Sequence, residues 1–101
     1  MAIQFTDTPF TFTVQNIDLT SVSHPYLTYK QGYVSVIIDD PEIIDSTHFS
    51  VVLSQAQSGR FKEGKAEVNL NWFDSSGLRH ATKTKTVSIE RNLLNRVINY
   101  E

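Results

Sequence analysis

The clearest pattern of apolar and polar positions lies between residues 61 and 89. Every second residue from Ala66 to Trp72 is apolar and the residues between them are polar, which is the period of a strand with one buried face. The next residues, Asp74-Ser75-Ser76-Gly77, favour a tight turn, because Asp and Ser can bond their own backbone and Gly adopts positive φ. The sequence therefore predicts a long antiparallel hairpin with Trp72 in the core.

The return strand of this hairpin changes phase. Val87 and Ile89 share their parity with Lys83 and Lys85, so a single buried face cannot continue through all four positions. A β-bulge near Thr82 to Thr84, or an edge position at which the lysines remain solvated, would resolve the conflict.

Shorter patterns predict the elements that precede the hairpin. Alternation indicates strands over residues 9–15 and 48–54, and residues 55–60 favour a helical turn or a tight loop. Two β-rich runs fill residues 26–38 around Gln31-Gly32. They form either a tight hairpin or one bent and bulged region, and we favour the bulged region.

The end of the chain has a different period. Leu93 and Val97, like Leu94 and Ile98, are spaced i, i+4, which predicts a short C-terminal helical turn folded back on the core or buried in a neighbour. With about six to seven strands, residues 1–101 are expected to form a single all-β domain. We predict an antiparallel β-sandwich, immunoglobulin-like or related, with a partly open barrel as the alternative.

Composition narrows the function classes. The chain has 101 residues, a net charge of -2 and no cysteine. Disulfides, thiolate nucleophiles and Cys-containing zinc sites are therefore excluded, and there is no overall positive field to attract nucleic acid or an anionic membrane. No export leader and no apolar run of the roughly 20 residues that a spanning helix needs is visible. We expect neither a nucleic-acid nor a membrane partner.

Candidate catalytic residues are few. His24, His48 and His80 form no i, i+2 or i, i+4 pair for a metal, and no G-x-S-x-G motif is present. We predict no catalytic residue, no cofactor, no metal and no enzyme. A small hydrolase would require His48 or His80 to approach a carboxylate in a pocket.

An acidic loop is the one candidate for a cation. It lacks the spaced pattern of a calcium loop, so a solvated turn is favoured over cation binding. Its four carboxylates belong to Asp39, Asp40, Glu42 and Asp45.

Two surface patterns suggest binding. Phe73 has the opposite parity to Trp72 and is the better candidate for a contact surface, with tyrosines beside it. The tyrosines considered for such an aromatic platform are Tyr26, Tyr29 and Tyr33. A basic stripe for phosphates is the second pattern, but lysines that protect an edge strand are the favoured interpretation. The stripe contains Lys30, Arg79, Lys83 and Lys85.

Several short motifs carry a resemblance to a known group of proteins. An F-x-x-G stretch at Phe61 to Gly64 precedes a strand, a D-x-x-G turn at Asp74 to Gly77 closes the hairpin, and an L-L-x-x-V-I segment spans Leu93 to Ile98. Three further stretches carry the same resemblance: Tyr29 to Gly32, Val52 to Gln55 and Val68 to Trp72. With these motifs, the chain resembles small all-β structural proteins of phages and prophages of Gram-positive bacteria. More loosely, it resembles the N-terminal domain of phage upper baseplate proteins.

The resemblance implies a virion component, made in the bacterial cytoplasm and assembled in many copies with other virion proteins. Head decoration, neck or connector, and tail or baseplate-associated subunits all fit this description. We predict a non-enzymatic structural protein that assembles through its apolar end and an exposed strand edge. The predicted partner-binding residues are Leu93, Leu94, Val97, Ile98 and Phe73. The alternative is a β-sandwich module that binds carbohydrate or a cell-surface ligand through Phe73, tyrosines and a loop end.

Overall fold

The computed structural model describes residues 1–39 and 41–99. These residues form an all-β fold with nine strands, one helical turn α1 and one 3-10 turn. The strands are β1 (Ala2–Ile3), β2 (Thr8–Thr13), β3 (Ser23–Gln31), β4 (Val34–Ile38), β5 (Glu42–Ile43), β6 (His48–Leu53), β7 (Gly64–Phe73), β8 (Arg79–Ala81) and β9 (Lys85–Glu90). The turns are α1 (Gln55–Ser58) and the 3-10 turn Leu19–Ser21. The strand count exceeds the predicted six to seven because β1 and β5 have two residues each and the return strand is split.

Two sheets enclose the core in a sandwich-like arrangement. The large sheet has six strands in the order β1-β9-β7-β3-β4, with β8 also paired to β7, and the small sheet has the order β2-β6-β5. Apolar side chains from the inner faces of both sheets form one core cluster. The predicted all-β sandwich is confirmed at this level. One pair departs from a purely antiparallel sheet, because β1 runs parallel to β9.

The predicted hairpin is the centre of the large sheet. β7 pairs antiparallel with β8 and β9 on one side and with β3 on the other. In the turn, Asp74 Oδ1 accepts hydrogen bonds from the backbone N–H groups of Ser76 and Leu78 at 2.8 and 3.0 Å. Gly77 has φ +78°, as the turn requires.

The predicted bulge separates β8 from β9. Asn71 pairs with Ala81 and Val68 pairs with Lys85, so three residues on the return side face two on β7. The hydroxyl of Thr82 accepts the hydrogen bond of the Leu70 N–H at 3.0 Å and replaces the missing ladder partner. The extra residue reverses the parity, which places Val87 and Ile89 inward although Ala81, with the same parity, is on the outer face.

Two sequence expectations are wrong. Residues 26–38 are not one bulged region, because β3 and β4 pair as a hairpin in which Gln31 faces Val34. Gly32 has φ +58°, which fits a two-residue turn with Gly in its first position. The short helical turn predicted at the C-terminal end is absent from residues 91–99, which contain only bends and irregular chain.

Tyr29 lies at the centre of the core and is fully buried. Its ring packs against those of Phe10 and Phe61, with centroids 5.6 and 6.3 Å apart. Its hydroxyl has no hydrogen-bond partner among the described residues. Burial raises the pKa of this phenol, because the charged form would lose its hydration.

Candidate functional site

The structure divides the predicted partner-binding residues between two surfaces. Ile89, which leads into the terminal segment (residues 91–99), pairs with Gly64 at the start of β7, whereas Phe73 is the last residue of β7. Nine residue-to-residue steps along β7 separate these two ends, a distance of roughly 30 Å. Leu93, Leu94, Val97 and Ile98 therefore belong to one candidate site and Phe73 to another.

The terminal segment presents large apolar side chains to solvent. Leu93 is 89% exposed, and Leu94, Val97 and Ile98 are 46%, 49% and 49% exposed. None of the four belongs to the core cluster or to the partly buried apolar residues packed against it. Of the two locations predicted for this segment, the domain's own core is therefore excluded for these side chains.

Polar contacts hold the first part of this segment. Gln4 donates from Nε2 to the Phe61 carbonyl at 2.6 Å, and its Oε1 and main-chain oxygen accept hydrogen bonds from Asn92 at 3.3 and 3.0 Å. Asn92 in turn accepts a hydrogen bond from the Leu94 N–H at 3.1 Å. These contacts fix the direction in which the chain leaves β9.

A second tether holds the other end. The side-chain amide of Gln55, the first residue of α1, bonds both main-chain groups of Ile98: Nε2 donates to the carbonyl at 2.9 Å and Oε1 accepts from the N–H at 2.7 Å. The Gln55 N–H is itself held by Asp7 Oδ1 at 3.1 Å. The segment is thus fixed at both ends while its apolar side chains face outward.

The second surface is an open cleft on the outer face of the large sheet. Its volume is about 390 Å³. The residues that line it come from β3, β4, β7 and β8, and they are Tyr26, Thr28, Ile37, Asn71, Phe73 and Arg79. The strand period places these side chains away from the core, and cross-strand pairing brings them together, for example Tyr26 with Asn71 and Phe73 with Arg79.

A chain of hydrogen bonds orders the polar side of this cleft. Arg79 donates from Nε and Nη2 to Asn71 Oδ1 at 3.2 and 3.1 Å. Asn71 then donates from Nδ2 to Asn69 Oδ1 at 3.4 Å. Two nitrogens of the guanidinium are therefore held by one amide oxygen.

Phe73 is half-buried rather than fully exposed. Its ring meets that of His24 edge-to-face, with centroids 6.5 Å apart. Trp72 is buried, as predicted. Tyr29 belongs to the core and Tyr33 is fully exposed at the β3–β4 turn, so Tyr26 is the only one of the three proposed tyrosines that lies beside Phe73.

Two histidines approach carboxylates. His80 Nε2 lies 2.6 Å from Asp74 Oδ2, and the His80 ring stacks on Trp72 with centroids 5.7 Å apart. His48 Nδ1 lies 2.8 Å from Asp45 Oδ1. The His80 pair borders an open depression of about 320 Å³, so the condition set for a hydrolase is partly met. In the described hydrogen bonds neither histidine contacts a serine, and the prediction of no enzyme stays a prediction.

The pairs with histidine have an evident structural role. Asp45 accepts the Thr47 N–H at 2.9 Å and also the His48 N–H at 2.9 Å, and these bonds close the loop before β6. The hydrogen bond from the Thr47 backbone, with that from the His48 side chain, lowers the pKa of Asp45 to about 2. Within 1–39 and 41–99, no three His, Asp or Glu side chains are grouped to hold a metal. Asp40 of the predicted acidic loop lies outside the described residues.

The predicted basic stripe is not continuous. Arg79 lies in the outer-face cleft, whereas Lys85 pairs with the inward-facing Val68. Lys85 Nζ donates to the Thr13 carbonyl at 3.3 Å and so bridges the two sheets at their open flank. Lys85 thus has the parity of the inward-facing residues, but its ammonium group lies at the edge of the sandwich and bonds the opposite sheet.

For some residues at both surfaces, no local sequence pattern predicts that they belong there. Gln4 and Gln55 act through contacts with residues far along the chain, and no local pattern marks them. Ile37 and Thr28 join the cleft because the β3–β4 hairpin forms, which we did not favour. With a tight turn at Gln31-Gly32, the period of two places both residues on the outer face.

Comparison with known proteins finds no relative. No family model, curated protein or solved structure matches the chain. The resemblance to phage proteins stays a prediction. No helix among the described residues has the length and apolarity to cross a membrane.

Proposed function

We propose that the protein is a non-enzymatic virion subunit that works by association with copies of itself and with other virion proteins, through the terminal segment. The observation that carries the association is the exposure of Leu93, Leu94, Val97 and Ile98 on a tethered backbone. The virion setting is supported by the motif resemblance alone.

The tethers make this surface suitable for binding. Burial of one large apolar side chain gains roughly 1.5 to 3 kcal/mol, but a flexible segment would lose much of this in ordering. Here the hydrogen bonds that the Asn92 and Ile98 N–H groups donate to Gln4 and Gln55 already restrict the backbone. A partner with a complementary apolar groove would therefore bind a largely ordered ligand.

A strand edge offers a second contact of the predicted kind. β4 is the last strand of the large sheet and pairs only with β3 in the described structure. Its sequence, VSVII, contains neither Lys nor Pro, the residues that commonly protect an edge from unwanted pairing. A strand from a partner can extend the sheet at β4.

Light scattering across protein concentration tests the association. We expect the full chain to form assemblies that the double variant L93S/L94S does not form, because two large apolar contacts are lost. Deletion of residues 92–101 should have the same effect and leave a folded β-domain by circular dichroism.

Leu78→Ser is the matched control. Leu78 is 62% exposed in the turn at the opposite end of β7, so its loss should leave assembly unchanged. Full-chain protein that stays monomeric at every concentration contradicts association between copies. Equal loss of assembly in the Leu78 variant contradicts the role of the terminal segment.

A further inference from the structure

The outer-face cleft is separate from the terminal segment and has its own chemistry. It lies around Asn71 and Phe73, at the end of β7 opposite Gly64. Tyr26 is 39% exposed and Ile37 is 62% exposed, so the apolar walls are accessible from solvent.

Backbone pairing restricts what can bind there. β3 lies between β4 and β7, and β7 lies between β3 and β8. The main-chain groups of these two central strands are therefore engaged in the sheet over most of the cleft, and an extended peptide cannot add a strand between them. The free edge of β4 lies at the rim, so a ligand above β3 and β7 is held by side chains.

The polar side chains of the cleft supply donors and one positive charge. None of the six lining residues carries a carboxylate. Arg79 has no carboxylate within ion-pair distance in the described part of the chain, and its Nη1 donates no hydrogen bond to the protein there. With the hydroxyls of Tyr26 and Thr28 beside it, this set matches a ligand rich in acceptors that carries an anionic group.

The apolar walls indicate the shape of that ligand. Tyr26 and Phe73 stand in adjacent rows on neighbouring strands, and Tyr26 faces Asn71 across the β3–β7 pair. Aromatic walls above a floor of amide and hydroxyl groups suit a ring with one apolar face and hydroxyls at its rim. A sugar ring has this character, and a carboxylate on the ring would meet the planar guanidinium.

We propose that the cleft of Tyr26, Asn71, Phe73 and Arg79 binds a carboxylated sugar unit of an anionic oligosaccharide. Arg79 pairs with the carboxylate and is held in place by Asn71. Tyr26 and Phe73 contact the ring, and the hydroxyl of Thr28 bonds a ring hydroxyl. The site does not depend on association through the terminal segment.

Titration followed by NMR of the ¹⁵N-labelled full chain tests this site. The probes are trigalacturonate, trimannuronate and sialyllactose, each compared with its methyl ester, which removes the charge and keeps the ring. We expect at least one acid to shift the amide signals of residues 26–28, 71–73 and 79–81, and the ester to bind about tenfold more weakly, since an ionic hydrogen-bonded pair is lost.

Three variants sharpen the result. Arg79→Gln should weaken binding of that acid about tenfold and should abolish its preference over the ester. Tyr26→Ala should weaken acid and ester equally, because only the ring contact is lost. Lys83→Gln removes a cation outside the cleft and should change neither affinity.

Four results would each overturn the proposal. They are no shift of cleft signals by any of the acids at millimolar concentration, equal binding of acid and ester, equal losses in the Arg79 and Lys83 variants, and shifts confined to another surface. Thermal melting of each variant establishes that a loss of binding is not a loss of fold.

Discussion

At its Gly64 end, β7 lies beside β9 and the terminal segment, whose leucines, valine and isoleucine face solvent. At its Phe73 end the same strand contributes to a cleft with an arginine, an amide and two aromatic rings. The cleft is built by the strand period, which is a local property, and by pairing between neighbouring regular strands. The apolar surface is built by an irregular segment that Gln4 and Gln55 hold from a distance. One surface thus depends on regular strands, and the other depends on hydrogen bonds from side chains far along the chain.

The largest expected effect is the difference in free energy of unfolding between substitutions at two leucines. Leu70, on the inner face of β7, is 1% exposed, whereas Leu93 is 89% exposed. Leu70→Ala should lower the free energy of unfolding by about 2 to 5 kcal/mol, and Leu93→Ala by less than about 0.5 kcal/mol. Urea denaturation of the monomer measures both. A similar loss in the two variants would mean that the terminal segment is part of the domain core.

The tether at Gln55 should give the next largest effect. Gln55→Ala removes both hydrogen bonds to Ile98, each worth about 0.5 to 1.5 kcal/mol. We expect the Ile98 amide to lose protection in hydrogen exchange while strand amides keep theirs. Gln15→Ala, at an exposed glutamine, is the control. Unchanged protection at Ile98 would show that the segment is held by other contacts.

Tyr29 lies beside the midpoint of β7. Its substitution should change the free energy of unfolding by a smaller amount and in the opposite direction. It pairs with Val68, and its buried hydroxyl has no hydrogen-bond partner among the described residues. Tyr29→Phe should therefore raise the free energy of unfolding by about 1 kcal/mol, because an unsatisfied buried polar group costs stability. Tyr26→Phe, at an exposed tyrosine, should leave it unchanged. Destabilisation by Tyr29→Phe would reveal a partner for the hydroxyl.

The smallest effect concerns pH at the Phe73 end. The hydrogen bond with His80, followed by that from the Leu78 N–H, lowers the pKa of Asp74 below its ordinary value of 3.8. A lowered carboxyl pKa stabilises the fold above the unfolded value, and this stabilisation is lost as pH falls through the folded value. Melting temperatures of the wild type and Asp74→Asn should differ at about pH 6 and converge towards about pH 2. A constant difference would show that the carboxylate charge contributes nothing to the turn.

The central strand β7, the bulge opposite it and the turn that follows it were largely predictable from the sequence. The alternation from Ala66 to Trp72 located β7 and its buried face, and the phase conflict at Lys83 and Lys85 located the bulge. Turn chemistry at Asp74 and Gly77 was equally local. These features depend on neighbours within a few residues, which is the range over which sequence patterns carry information.

The rest depended on contacts that no local pattern records. The spacing of Leu93 and Val97 suggested a helical turn, but Gln55 pairs with the Ile98 backbone instead and holds the segment in irregular form. A short isolated turn has little stability of its own, so a few tertiary hydrogen bonds decide its conformation. At Gln31-Gly32 both a bulge and a turn suit glycine, and only the register between β3 and β4 distinguishes them. Phe73 was placed on the outer face by parity, yet its partner Arg79 became visible only through cross-strand pairing.

The parallel pairing of β1 with β9 has a consequence for biosynthesis. Ala2 aligns with Ile89, and the Gln4 N–H donates to the Glu90 carbonyl at 3.0 Å. β1 therefore waits for residues made almost ninety positions later, and long-range closure of this kind slows folding. Until β9 is made, residues 64–68 of β7 lack their ladder partner on that side. Completion of the sheet is consequently an event that follows translation of this region rather than one that proceeds alongside it.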